Sequence, residues 1–349
     1  MDNIIENVKA YYGKQLQDKS DLKSSACSCV EKPPAAVMEI LPLISTEIME
    51  KFYGCGSPLA PLLEGMTILD LGCGTGRDAY IASKLVGESG RVIGIDMTTE
   101  QINVAKKYEA EQAKRFGFTH SNVAFHQGYI EDLKSIGIAD NSVDIVISNC
   151  VINLSPEKEQ VFKEIYRVLK PGGELFFSDI FADRRIPKDL TLDPVLRGEC
   201  LSGALYVEDF RRLMSKCGFT DFRYTSIRHL DLQTDVEKKV GFATFSSRTV
   251  RAFKLDDLED ICEDYGQVAY YNGSIADHPH YFDLDDHHRF FTGKPMLVCG
   301  NTASMLSHTR YSKAFNVVGD TSVHYGAFGA CGNNANMESR IANATGSCC

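Results

Sequence analysis

Twelve of the 349 residues are cysteines, at positions 27, 29, 55, 73, 150, 200, 217, 262, 299, 331, 348 and 349. Thiolates are soft ligands and two-electron reductants, so they suit a thiophilic centre or a redox step. Their spacing lacks the paired C-x2-C knuckles of a structural zinc site, and a chain expected inside the cell does not use them as a disulfide framework. For any one of them the ordinary role is a small buried apolar residue. A second chemical signal is Ile68-Leu69-Asp70-Leu71-Gly72-Cys73-Gly74-Thr75-Gly76. Gly72, Gly74 and Gly76 let the backbone turn tightly and let a ligand lie against it, facing the N–H groups of a following helix. Asp70 lies inside the preceding strand, where a cationic ligand carrying an amino-acid group could use its carboxylate. Asp96 closes the next strand, within reach of ribose hydroxyls. On these residues alone, a dinucleotide site and a glycine turn without ligand both stay open.

The elements that must hold these groups alternate. Thr67–Leu71 reads as a strand, Arg77–Val86 as a helix, Arg91–Ile95 as a strand and Thr99–Phe116 as a helix. Val123–Gln127 and Val143–Ser148 read as strands, Pro156–Leu169 as a helix stopped by Lys170-Pro171-Gly172-Gly173, and Glu174–Ile180 as a strand. Val207–Lys216 and Phe219–Ile227 extend the pattern. Alternation of this kind implies an α/β fold, an open sheet with parallel pairing and helices on both faces. Upstream, residues 2–16 and about 35–53 have helical spacing, with a loop over 24–34.

The ordered strings DLGCGTG, GIDM and VLKPGGEL resemble the class I S-adenosylmethionine methyltransferases, with their Rossmann-like sheet. In such enzymes the segment after the third strand, here Gln127–Asp132, covers the adenine, which makes Ile130 and Glu131 candidate contacts. The ligand of an open α/β sheet lies beyond the carboxyl ends of its strands. Cys150 falls there, in Ser148-Asn149-Cys150-Val151-Ile152-Asn153, and Cys200 sits in a loop after the fifth strand that can fold over the same face. Cys55 lies just upstream of the domain, and Cys27 further upstream. Several thiols near a methyl donor suggest a soft acceptor.

The strings ACSC, KFYGCGSP, DLGCGTGRDAY, GIDMTTEQINVAKKY, SNCVINLSPEKEQVFKEIYRVLKPGGELFFSDI and RGECLSGAL are similar to those of arsenite S-adenosylmethionine methyltransferases. The resemblance covers roughly residues 8–230, and more weakly 231–299. It implies that Cys55, Cys150 and Cys200 bind trivalent arsenic, with Cys27 as their redox partner. It also places Tyr53, Met97, Asn149 and Asn153 around the donor. The implied substrates are arsenite and methylarsenite, with thioredoxin or glutathione as reductant and no resident metal. A methyltransferase of a small organic acceptor and a metalloid-sequestering thiol protein are the competing readings.

The net charge of −10 argues against a nucleic-acid partner and gives no attraction to an anionic membrane surface. No apolar run is long enough to span a bilayer, and Met1–Lys14 has no basic start followed by an apolar stretch. A cytoplasmic protein is expected. The expected organisation is a helical segment over 1–60 with Cys27 and Cys55, a methyltransferase domain over 61–230, a small α+β domain over 231–300 and a disordered Gly/Ala/Asn/Ser tail over 301–349.

Overall fold

The computed structural model describes residues 33–52, 54, 56–193, 196–197 and 200–329. Cys27, Cys29, Tyr53, Cys55, Cys331, Cys348, Cys349 and the helix expected over 2–16 lie outside the described residues. Two compact units are formed, one ending at Leu255 and the other starting at Asp256.

In the first unit, α1 (Ala35–Ile40) and α2 (Thr46–Glu50) replace the single helix expected over 35–53. The interruption is a 3-10 turn over Leu41–Leu43 containing Pro42, which has no N–H to give to a continuous helix. Then follow β1 (Thr67–Leu71), α3 (Arg77–Val86), β2 (Arg91–Asp96), α4 (Thr99–Lys107), α5 (Glu109–Phe116), β3 (Val123–Gln127), β4 (Val143–Asn149), α6 (Lys158–Val168) and β5 (Leu169–Ala182). β6 (Leu205–Tyr206), α7 (Val207–Lys216), β7 (Phe222–His229), α8 (Thr234–Val240) and β8 (Phe245–Phe253) complete it. The strands run β3-β2-β1-β4-β5-β8-β7, with β6 paired to the end of β5. β1 to β5 pair in parallel, while β8 runs antiparallel to both β5 and β7.

The central strands are apolar almost throughout because helices cover both faces. Period-2 alternation sends Ile68 to one core and Leu69 and Leu71 to the other, all three fully buried. The helix expected over Thr99–Phe116 breaks at Tyr108, which sits at φ −101°, ψ 0° with its hydroxyl donating to Glu47 at 2.7 Å.

The expected domain boundary at 230 is displaced. β8 pairs with β5 from Glu174↔Phe253 to Ala182↔Phe245, so α8 and β8 belong to the first unit. Its sequence, FSSRTVRAF, hides the strand because Arg251 is buried. Glu174 of β5 accepts from its guanidinium, which lets a charged residue stand in a covered sheet.

The second unit contains β9 (Glu263–Asp264), β10 (Gln267–Tyr271), β11 (Tyr281–Asp283), β12 (Arg289–Phe291), β13 (Pro295–Val298), α9 (Gly300–Ser307), β14 (Phe315–Val318) and β15 (Gly326–Ala327). A three-stranded antiparallel sheet, β13-β10-β14, carries α9. Residues 301–329, expected as the start of a disordered tail, are therefore ordered. Met305, Leu306 and Tyr311 are fully buried, and Phe315 packs on Tyr271, Phe282 and Phe290. No helix among the described residues is long and apolar enough to cross a membrane.

Candidate active site

At the carboxyl ends of β1, β2 and β4 the first unit opens into a solvent-connected cavity. After β1 the chain turns through Gly72 (φ +70°) and Gly74 (φ +54°), both on the cavity wall. A side chain at Gly72 would run into Val151, so the loop must stay bare there. Gly76 is not on the wall. A Cβ there would meet Phe125 and Tyr80, so this glycine serves helix–strand packing instead.

Four carboxylates line the cavity, Asp70, Asp78, Asp96 and Glu131. Asp96 Oδ2 accepts from Gly74 N–H at 3.0 Å and Oδ1 from Thr98 N–H at 2.8 Å, which ties the end of β2 to the glycine loop. Burial pushes its carboxyl above the usual range. Asp70 is held well above that range by burial first and then by the charges of Asp78 and Asp96. Its Oδ2 is buried without a hydrogen-bond partner among the described residues. A buried carboxylate oxygen without a partner, beside other acids, fits a ligand that brings positive charge and an N–H donor. Met97, Ile130 and Glu131 also line the cavity, with Glu131 accepting from the Ser155 hydroxyl.

Asn149 and Val151, on either side of Cys150, also line the cavity. Cys150 and Cys200 both take left-handed backbone conformations, φ +59° and +61°, which a residue with a Cβ rarely adopts. Both are buried, at 3% and 0% exposure, in one apolar cluster with Ile180 and Leu201. The Cys150 and Cys200 sulfurs and a carboxylate oxygen of Asp179 lie within 4.8 Å of one another, and the Cys200 thiol donates to the Cys150 carbonyl at 3.4 Å. Cys150 is disulfide-bonded and Cys200 is not. Cys73 also reaches the cavity, but burial and the charges of Asp70 and Asp96 push its thiol well up.

Asn153 is not on the wall. Its Nδ2 donates to Asp179 Oδ1 at 2.8 Å, and Asp179 Oδ2 accepts from its N–H at 2.9 Å. Its role is to brace the turn that follows β4. Tyr53, Cys55 and Cys27 lie outside the described residues, so the structure leaves their expected roles where the sequence put them. Residues not anticipated from sequence include Asp78, which lines the cavity and accepts from Arg77 and from Asn149 Nδ2 at 2.8 Å. Asp179 and Lys158 were also missed. Burial raises the Asp179 carboxyl to about 7 and lowers the Lys158 ammonium to about 8. The only signals were an Arg-Asp pair opening a helix and an Asp inside an apolar strand, both common in ordinary structure.

Residues 62–218 match the family model of a methyltransferase domain, and residues 264–349 that of the arsenite methyltransferase C-terminal domain. The chain is 49% identical to the arsenite methyltransferase of Aquipseudomonas alcaligenes, over 99% of both chains. It is 40% identical to the human arsenite methyltransferase, over 89% of this chain and 83% of that one. The crystal structure of an arsenic (III) S-adenosylmethionine methyltransferase from Chlamydomonas reinhardtii superposes with a TM-score of 0.83 at 52% identity, covering 85% of this chain and all of that one. On full-length identity, a matching C-terminal domain and a common structure built on the class I methyltransferase fold, the chain belongs to the arsenite methyltransferases.

Proposed function

We propose that this protein methylates trivalent arsenic held by cysteine thiolates, with S-adenosylmethionine as donor. The observation that carries this reading is the pair of buried sulfurs, Cys150 and Cys200, with Cys150 flanked by Asn149 and Val151 of an acid-lined cavity. The bound donor supplies an electrophilic methyl group on a sulfonium sulfur. Asp70 would meet its amino-acid ammonium, Asp96 its ribose hydroxyls, and Met97, Ile130 and Glu131 its adenine. The bare backbone at Gly72 and Gly74 admits it closely.

Arsenite is As(OH)3, and three thiols displace its hydroxyls as water: As(OH)3 + 3 RSH gives As(SR)3 + 3 H2O. Cys150 and Cys200 supply two of the thiolates, and Cys55 the third. Arsenic then keeps a lone pair, which is the nucleophile. No general base acts on it, because the attacking atom carries no proton. What the protein contributes is alignment of that lone pair with the methyl carbon. The left-handed backbone at both cysteines fixes where the sulfurs point, and the apolar cluster around them excludes water. Methyl transfer raises arsenic formally to the pentavalent state. Two thiols return it to the trivalent state by giving up two electrons and closing a disulfide, with Cys27 as a member of the pair. Thioredoxin or glutathione then reopens that bond. A disulfide at Cys150 has to be reduced before its sulfur can hold arsenic.

The test is incubation with arsenite, S-adenosylmethionine and thiol, followed by arsenic speciation. Methylated arsenicals appearing in step with S-adenosylhomocysteine are the expected result. Arsenic bound but never methylated would mean sequestration, and donor turnover without arsenic an organic acceptor.

A further inference from the structure

Asn149 immediately precedes Cys150, yet its carboxamide serves a different segment. Oδ1 accepts from Gly56 N–H at 3.2 Å, while Nδ2 donates to the Gly56 carbonyl at 2.9 Å and to Asp78 Oδ2 at 2.8 Å. One side chain thus pairs with a whole peptide unit and ties it to an acid of the cavity wall. The two glycines that bracket position 55 are both buried. A Cβ on Gly54 would lie 2.7 Å from Asn149 Nδ2, and one on Gly56 would overlap the Ser178 side chain of β5. Phe52, which leads into the segment, lies under the Arg77 guanidinium at 4.0 Å, and Arg77 itself donates to Asp78. Residues 52, 54 and 56 are therefore held beside the end of β4 by ring, backbone and carboxamide contacts.

We infer that Asn149 and Ser178 form a seat for the Gly54–Gly56 segment and are positioning residues for the thiol of Cys55. The inference rests on the reading that Cys55 is the third arsenic ligand. Only an amide fits this seat. A carboxylate at 149 loses both donations and sets a charge against Asp78, and a larger residue than glycine at 54 or 56 lifts the segment away. Arsenite, which engages three thiols, depends on the seat. Methylarsenite has two exchangeable positions, uses Cys150 and Cys200, and does not.

The experiment is a size swap. Gly56→Ala adds a methyl where the Ser178 side chain stands, and Ser178→Gly removes the atoms it strikes. The next neighbour, Thr249 Oγ1 at 3.5 Å, is then at ordinary contact distance. Methylation of arsenite and methylarsenite is measured for both single variants, the double variant and Cys55→Ser, each checked by thermal melting. Gly56→Ala should lower kcat/KM for arsenite by about tenfold or more and leave methylarsenite within about twofold, since small misplacements of a reacting group cost rate steeply. The double variant should return arsenite turnover to within about threefold of Ser178→Gly alone, as a volume-conserving exchange. Unchanged arsenite turnover in Gly56→Ala, or a double variant no better than the single, overturns the seat. If Cys55→Ser itself still methylates arsenite, it is the third-ligand reading that fails.

Discussion

Thiols of one chemical type are sorted here by their surroundings. Burial first, and then the charges of Asp70 and Asp96, push the Cys73 thiol up, while Cys150 and Cys200 are members of one small apolar cluster. That contrast was not legible in the sequence, where Cys73 sits inside the glycine loop and looks as available as the others. The acids were more legible, because Asp70 and Asp96 occupy fixed places on successive strands. Asp96→Ala should weaken S-adenosylmethionine binding by about 1–3 kcal/mol, the cost of leaving buried polar partners unpaired, and leave arsenite binding nearly unchanged. Calorimetry with unchanged donor affinity would remove Asp96 from the site. Asp179 offers a pH test. Burial raises its carboxyl from 3.8 to about 7, so it binds its proton more tightly folded than unfolded. Its contribution to stability therefore falls as pH rises from about 4 to about 7. Asp179→Asn has no such dependence, so the melting temperature of the variant relative to wild type should rise from about pH 5 to about pH 8. A difference that stays flat with pH would mean that Asp179 is ionised in the fold throughout.

Elements with a clear local pattern were readable to within a residue or two, as with β1, α3 and β3. Failures came where side-chain partners override composition. β8 carries Ser246, Ser247, Arg248, Thr249 and Arg251, and nothing local announces that Glu174, on a strand far off in sequence, will satisfy one of the arginines. α9 opens Gly-Asn-Thr-Ala-Ser, a poor helix-forming string, yet Asn301 is tied to Glu259 through both backbone groups and Thr302 is fully buried. Truncation after Gly300 consequently removes a central strand partner and a covering helix. Each lost large buried side chain is worth about 2–5 kcal/mol. The second unit should lose its cooperative melting transition in calorimetry and become protease-sensitive. A chain ending at Gly329 should keep that transition. If truncation after Gly300 leaves it intact, β14 and α9 are not part of the unit's core.

At the scale of the whole molecule, the cavity and the thiol cluster belong to the first unit, and the match to the arsenite methyltransferase C-terminal domain belongs to the second. We propose that arsenic is methylated while held by thiolates whose number follows the substrate's exchangeable positions. The decisive measurement is methyl transfer to arsenite and to methylarsenite by the Cys27→Ser, Cys55→Ser, Cys150→Ser and Cys200→Ser variants, each first checked for folding. Cys150→Ser and Cys200→Ser should stop both reactions. Cys55→Ser and Cys27→Ser should lose arsenite methylation while still converting methylarsenite. Small losses that track melting temperature in all four variants, or a Cys55→Ser enzyme that loses both activities equally, would mean that thiolate number does not follow the substrate.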